Sequence, residues 1–388
     1  MTNEAEDIKV AGLRLATVQF VFTLGWTVYV VFLPDLLKRA GIEASWLPWL
    51  LMADQAIFAL MDIAFGVMAD RVGRVWQRLA RGILWLTSVS AIAFVLLPLA
   101  GVSPELLLVI TLLWVASASI VRAPTMVLLA KAARREQQAS LVVWYSGGMA
   151  LAMALSPFVG LWLKGVDPLL PFVVSAALLW LAVFALLRWR NANPATAAEA
   201  LSPLPFGHYL PLLFGLALGA FGLQWHAFVN SAALYGKLTE AARVPWLMPW
   251  LWVGFAAAMP LAGNLGKRVG ALNMAGAGLL LSAAAVWAAS AVNAENSLIL
   301  LQLLAGFGWG LAFASLMSYA SSAGTQGAEG VFMGSFFAVT TLAAFARIML
   351  ASQWLPALAE LRYLLPAVTL CLAGATVLWL ARRLPGRT

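Results

Sequence analysis

The sequence predicts an all-α transmembrane protein of twelve helices in two parallel-repeat six-helix bundles, and three observations lead to that class. Of the 388 residues 63% are hydrophobic and only 10% are charged, too few polar groups to clothe a water-soluble surface. Apolar runs of the roughly 20 residues that a membrane helix needs recur twelve times between charged or Gly/Pro-rich breaks. A polar turn in the first half of the chain returns, altered, at the equivalent place in the second half.

The first six predicted spans lie near 13–34, 47–69, 79–99, 105–129, 139–163 and 169–189, and residues 1–189 form an N-terminal bundle. A polar, Pro/Ala-rich stretch from Arg190 to Pro205 makes residues 190–206 a cytoplasmic linker. Six further spans near 207–235, 245–265, 270–290, 296–321, 330–354 and 362–381 make residues 207–388 a C-terminal bundle. The start, Met1 to Val10, carries Glu4, Glu6 and Asp7, unlike a basic signal-peptide start, so the run from Leu13 reads as a retained helix. Sixteen of the 24 Lys and Arg residues fall on one side of this threading and six on the other, with Arg122 and Arg347 inside spans. That excess places both termini in the cytoplasm and explains the net charge of +8 without a nucleic-acid partner. The single cysteine, Cys371, excludes an internal disulfide framework and a four-cysteine metal site.

The repeated turn is Gly66-Val67-Met68-Ala69-Asp70-Arg71-Val72-Gly73-Arg74. Its copy, Gly263-Asn264-Leu265-Gly266-Lys267-Arg268-Val269-Gly270, begins 197 residues later. Each turn stands between the second and third spans of its half, after a helix opened by Trp-Leu, at Trp46-Leu47 and Trp246-Leu247. The spacing G-x-x-x-D-R-x-G-R resembles the loop 2–3 signature of the major facilitator superfamily of secondary transporters. The resemblance implies two bundles around a site that opens alternately to either side, latched on the cytoplasmic side by this loop while the site faces outward. It assigns the latch to Gly66, Asp70, Arg71, Gly73 and Arg74. Lys267 stands where the first copy has Asp70, so the second turn is expected to lack the acid's role.

Ionised groups inside spans are costly and are generally paired or cavity-facing. Asp54 in the second span and Arg347 in the eleventh are a candidate outer gate, since those helices face one another in the superfamily; alternatively each bonds within its own bundle. Asp62, Arg122, Asp54 and, third among the acids, Asp35 are candidates for proton coupling. A structural salt bridge from Asp62 or Asp70 to Arg122 is the competing reading. Exporting members of the superfamily carry a fourth-helix arginine in a glycine pattern and a glycine-rich fifth helix. Here Arg122-Ala123-Pro124-Thr125 lacks the glycines and Ser156 precedes Pro157, so the likeness to exporters is partial. Gly147-Gly148 and Ser156 would still allow the fifth helix to approach the eighth closely.

Candidate cavity residues are Gln224, His226 and Asn230 on the seventh span, Trp26 and Tyr29 on the first, and Trp309 and Tyr319 on the tenth. His226 and Asn230 are i, i+4 neighbours, although either can instead bond within its own bundle. The reading is a proton-coupled secondary transporter of a small organic solute that is neutral, amphipathic or monocarboxylated, with export as one direction the sequence allows. Its expected partners are the lipid bilayer, the solute and protons; it is expected to work as a monomer in a plasma membrane of the bacterial inner-membrane kind. The polar residues form no nucleophile and base, no cofactor site and no phosphate loop, so neither an enzyme nor an ATP-driven pump is expected. Two alternatives stay open: a carrier of a soft metal or metal complex, to which Met149 and Met153 at i, i+4 point, and a non-transporting receptor or assembly protein of the same fold.

Overall fold

Lipid offers a peptide backbone no hydrogen bonds, so a chain this apolar crosses a membrane as helices that satisfy their own N–H and C=O groups. A computed structural model describes residues 2–71, 76–122, 124–125, 135–163, 165–188, 206–323, 328–358 and 361–383. It is all-α, and among the described residues twelve helices are long and apolar enough to span a bilayer. They are α1 (Thr2–Arg39), α2 (Leu47–Arg71), α3 (Trp76–Leu96), α4 (Pro104–Ala118), α5 (Arg135–Trp162) and α6 (Leu169–Leu187). The second six begin with α7, which runs from Phe206–Trp225 through a π-helical turn at His226–Asn230 into Ser231–Gly236. Then come α8 (Pro249–Val269), α9 (Ala271–Ala289), α10 (Glu295–Ala323), α11 (Glu329–Gln353) and α12 (Leu361–Arg383). The linker residues 190–205 and the loop residues Gly73 and Arg74 lie outside the described residues, as do the side chains of Asn264 and Lys267.

The fourth span departs from the expected run over 105–129. The α-helix ends at Ala118 and passes into a 3-10 turn, Ser119–Val121, that leaves Arg122 at φ −89 and ψ −94. Pro124 is the physical reason: its ring meets the carbonyl four residues earlier and it has no N–H to donate, so a regular helix cannot run through it. The copied turn between α8 and α9 shows why a glycine closes the motif. Gly270, equivalent to Gly73, takes φ +89, donates its N–H to the Gly266 carbonyl at 3.0 Å, and lets α9 start at the next residue.

Within residues 2–187, α1 packs against α5 and α6, and α3 against α4 and α6. Within residues 206–383, α10 packs against α8 and α9, and α12 against α7 and α9. Two main seams join these halves, α2 against α11 and α5 against α8, and α10 adds a smaller contact with α5. Twelve spans bring both ends of the chain to one side, here the terminal face. Toward it a single apolar core runs through both halves, joining Val18, Phe65 and Tyr145 to Leu216, Phe313 and Phe336. Toward the far face the first half keeps a core of its own, in which Tyr29 and Trp114, and Phe94 and Phe172, lie 4.5 Å apart between ring centroids.

The small residues of α5 correct one expectation. A Cβ at Gly148 would collide with the Ala16 carbonyl, and Ser156 shares a 2.8 Å hydrogen bond with Thr27, so this face seats α1 rather than α8. Gly148 and Ser156 are two helical turns apart and therefore share a face; Gly147 has open space beside it.

Candidate functional site

The seam between α2 and α11 is a contact of backbones. A Cβ on Gly66 would collide with the Gly330 carbonyl and one on Gly330 with that of Gly66, while Gly334 faces the Asp62 carbonyl in the same way. This approach brings Asp70, on the last turn of α2, to the first turn of α11. Its carboxylate accepts the Gly330 N–H at 2.7 Å and the Val331 N–H at 2.9 Å. The first N–H groups of a helix have no acceptor within it, and they form the positive end of its dipole. An acid of the first half therefore caps a helix of the second. Arg71 stays exposed beside it. Gly330 and Gly334 were not singled out in the sequence, although their small-x-x-x-small spacing is the signal for close helix approach.

One to three turns farther into the seam lies the buried pair. Asp62 is fully buried on α2, accepts the Ser119 hydroxyl at 2.7 Å, and has Arg122 Nη1 at 3.3 Å from its other oxygen. Arg122 Nη2 donates to Thr341 Oγ1 on α11 at 3.0 Å. The guanidinium is held between Phe58 of α2, 5.3 Å to the ring centroid, and Phe337 of α11, at 5.2 Å. The broken end of α4 makes this possible, because Arg122 follows the 3-10 turn and Gln19 of α1 donates to the Val121 carbonyl at 3.2 Å. One cation thus touches an acid in its own half and a hydroxyl in the other.

The other two in-span ionisable groups stay apart. Asp54 is buried and accepts the Tyr29 hydroxyl at 2.7 Å, with its second oxygen unpartnered. Arg347, toward the far end of α11, has its guanidinium 4.7 Å from the centroid of Phe228 on α7. No Asp54–Arg347 ion pair within 4.0 Å occurs among the described residues. Asp35 is exposed near the far end of α1, and Trp26 stacks on Trp114 at 5.7 Å.

On α7 the polar side chains look into the second half. His226 Nε2 and Gln302 Oε1 of α10 are 2.9 Å apart, Gln302 donates to Ser231 at 3.0 Å, and Ser231 donates to the His226 carbonyl at 2.8 Å. This closed circuit holds the π-helical turn, whose His226 and Asn230 are each 1% exposed. Asn230 donates to the Arg362 carbonyl at 2.9 Å, and Gln224 to the Thr340 carbonyl at 3.2 Å. Trp309 and Tyr319 are buried in α10, Trp309 against Phe313. Met149 and Met153 are half-buried, and among the described residues no three His, Cys, Asp or Glu side chains cluster as a metal site.

Twelve apolar helices in two halves, with a helix cap and a buried ion pair placed on the seam between them, define an integral membrane protein of the secondary-transporter class. The sequence profile of the Major Facilitator Superfamily matches residues 15–346, and the chain belongs to that superfamily, whose members are transporters of small solutes and not enzymes. Among curated protein sequences none matches the chain. Among solved structures the chain is similar to the human organic anion transporter MFSD10 (TETRAN), with a TM-score of 0.74 and 16% identity over 95% of this chain and 99% of that one. It is also similar to the superfamily transporter FucP in the outward conformation, with a TM-score of 0.73 and 12% identity over 96% of this chain and 99% of that one. At these identities the likeness is one of fold.

Proposed function

We propose that this protein is a proton-coupled, alternating-access carrier of a small organic solute, working as a monomer in a plasma membrane of the bacterial inner-membrane kind. The carrying observation is the Arg122 guanidinium, which contacts Asp62 in one half and Thr341 in the other. A proton on Asp62 removes the charge that holds Arg122 in place, so protonation and the fit of the two halves become one equilibrium. Asp54 is the second candidate proton site and Asp35 the third.

In this reading residues 1–189 and 207–388 are the two moving bundles, joined by linker 190–206, with both termini cytoplasmic. The shared core on the terminal face and the Asp70 cap then describe a state closed toward the cytoplasm. Gly66, Asp70 and Arg71 act as its latch, together with Gly73 and Arg74. In the opposite state Asp54 and Arg347 close the outer side. The solute path runs between the halves past Trp26, Tyr29 and Gln224, with Trp309 and Tyr319 behind it and the His226–Asn230 turn supporting α7 from within. Export is the direction that the partial fifth-helix likeness favours.

The test is a solute screen in proteoliposomes under an imposed pH gradient, comparing native protein with Asp54→Asn, Asp62→Asn and Arg122→Gln. The reading expects gradient-driven solute flux in the native protein and loss of its pH dependence in Asp62→Asn. PH dependence unchanged in all three variants contradicts the coupling assignment.

A further inference from the structure

Among the described residues Arg347 is an in-span cation without a counter-charge. Its contact is the face of Phe228, its Nε has no hydrogen-bond partner, and no carboxylate lies within 4.0 Å among the described residues. The other in-span charges are already engaged, Asp62 with Arg122 and Asp54 with Tyr29. An arginine in this position is stable only if something neutralises or hydrates it.

Its surroundings identify the space it faces. Gln224 of α7 bonds the Thr340 carbonyl of α11, and Phe228 meets Arg347 one turn farther along α7 and two along α11, in the same groove. Phe228 also touches Trp252 of α8, 6.0 Å between centroids. α8 and α11 both pack against the first half, as α10 does more lightly through α5, so a side chain on α7 lying between α8 and α11 points at the first half and not at lipid. Phe228 is nonetheless 47% exposed, so the volume in front of it is unfilled by protein.

We infer that Arg347 is the anchor for the anionic group of the transported solute, a carboxylate on an organic molecule whose apolar body lies against Phe228 and Trp252. This rests on the transport reading for its setting between the halves and names the solute class: an amphipathic organic monoanion. The guanidinium presents a fork of N–H donors that matches a carboxylate in bidentate geometry, and the two rings supply the apolar surface beside it.

Binding separates this inference from the transport reading. Full-length protein in phosphatidylcholine nanodiscs is titrated with 3-phenylpropionate, benzoate and octanoate and with their neutral amides, following tryptophan fluorescence and thermal unfolding. The native protein is expected to prefer carboxylates over the matching amides by about tenfold or more. Arg347→Gln abolishes that preference while its unfolding temperature without ligand shows that it folds, Arg347→Lys retains part of it, and Phe228→Ala weakens acid and amide alike. No carboxylate preference in the native protein, or a preference that survives in Arg347→Gln, overturns the inference. Competition of phosphatidylglycerol nanodiscs with every carboxylate assigns the site to a lipid headgroup and overturns it too. A preference carried by Arg347 with no solute flux in proteoliposomes instead leaves the anion site standing and removes the transport reading.

Discussion

The two seams between the halves occupy equivalent places in the repeat, yet they are built differently. At α2–α11 the glycines Gly66, Gly330 and Gly334 bring backbones into contact, and Asp70 caps the opposing helix. At α5–α8 the corresponding Gly263 has Val143 at an ordinary 3.6 Å from a Cβ placed on it, and Gly266 has nothing within 4 Å. A ring contact, Phe158 of α5 against Trp246 in the short helix Val244–Leu247 just ahead of α8 at 5.1 Å, lies at the far end of the seam. The two turns share their spacing and differ in chemistry. The first seam is capped by a charge and has no room for side chains at its glycines, whereas at the described glycines of the second there is room to spare.

That contrast can be broken at four places. The largest effect is expected from Arg122→Ala, which strands the buried Asp62; breaking a buried pair from one side costs about 3–5 kcal/mol, read as lost thermal stability in detergent. Asp62→Asn, which leaves a neutral partner of the same shape, is expected to cost less. Next is Gly66→Ala, which forces α2 and α11 apart and should cost about 1–3 kcal/mol as an overpacked contact. The same change at the other seam, Gly266→Ala, should instead stabilise by about 0.4–1 kcal/mol, because space is free and the unfolded chain loses freedom. Third is Asp70→Ala, a lost cap worth about 0.5–2 kcal/mol, seen as increased cysteine labelling of the terminal face rather than as unfolding. The smallest loss is expected from Trp246→Ala, which removes an aromatic pair worth about 0.5–1.5 kcal/mol and should loosen only the far end of the second seam.

The sequence disclosed the first seam's acid and hid most of its partners, and the reason is geometric. Twelve spans were legible because the length needed to cross lipid is fixed and the breaks are charged or rich in Gly and Pro. Asp70 was legible because the spacing around it resembles the superfamily's loop 2–3 signature, and the Lys267 of the second copy marked the contrast. Ser119 and Thr341 were not, because one hydroxyl among many becomes a ligand of Asp62 or Arg122 only through the rotation of α4 and α11 about their axes. Tyr29 read as cavity surface, and its bond to Asp54 was hidden because it depends on how α1 and α2 face one another. Pro124 did carry the break in α4, but the apolar run through it outweighed that signal. His226 and Asn230 share a helical spacing, yet a π-helical turn resets the phase and points both into their own half.

The most direct test is a distance measurement by pulsed electron paramagnetic resonance, in a background where the one native cysteine is replaced by Cys371→Ala. One label pair joins the terminal-face ends of α2 and α11, a second pair those of α5 and α8. Asp70→Ala is predicted to shift population toward longer distances at the first pair, and Lys267→Ala to leave the second pair as in the native protein. Distributions at the α2–α11 pair that are the same with and without Asp70, or that change equally at both seams, would contradict the asymmetry on which this account rests.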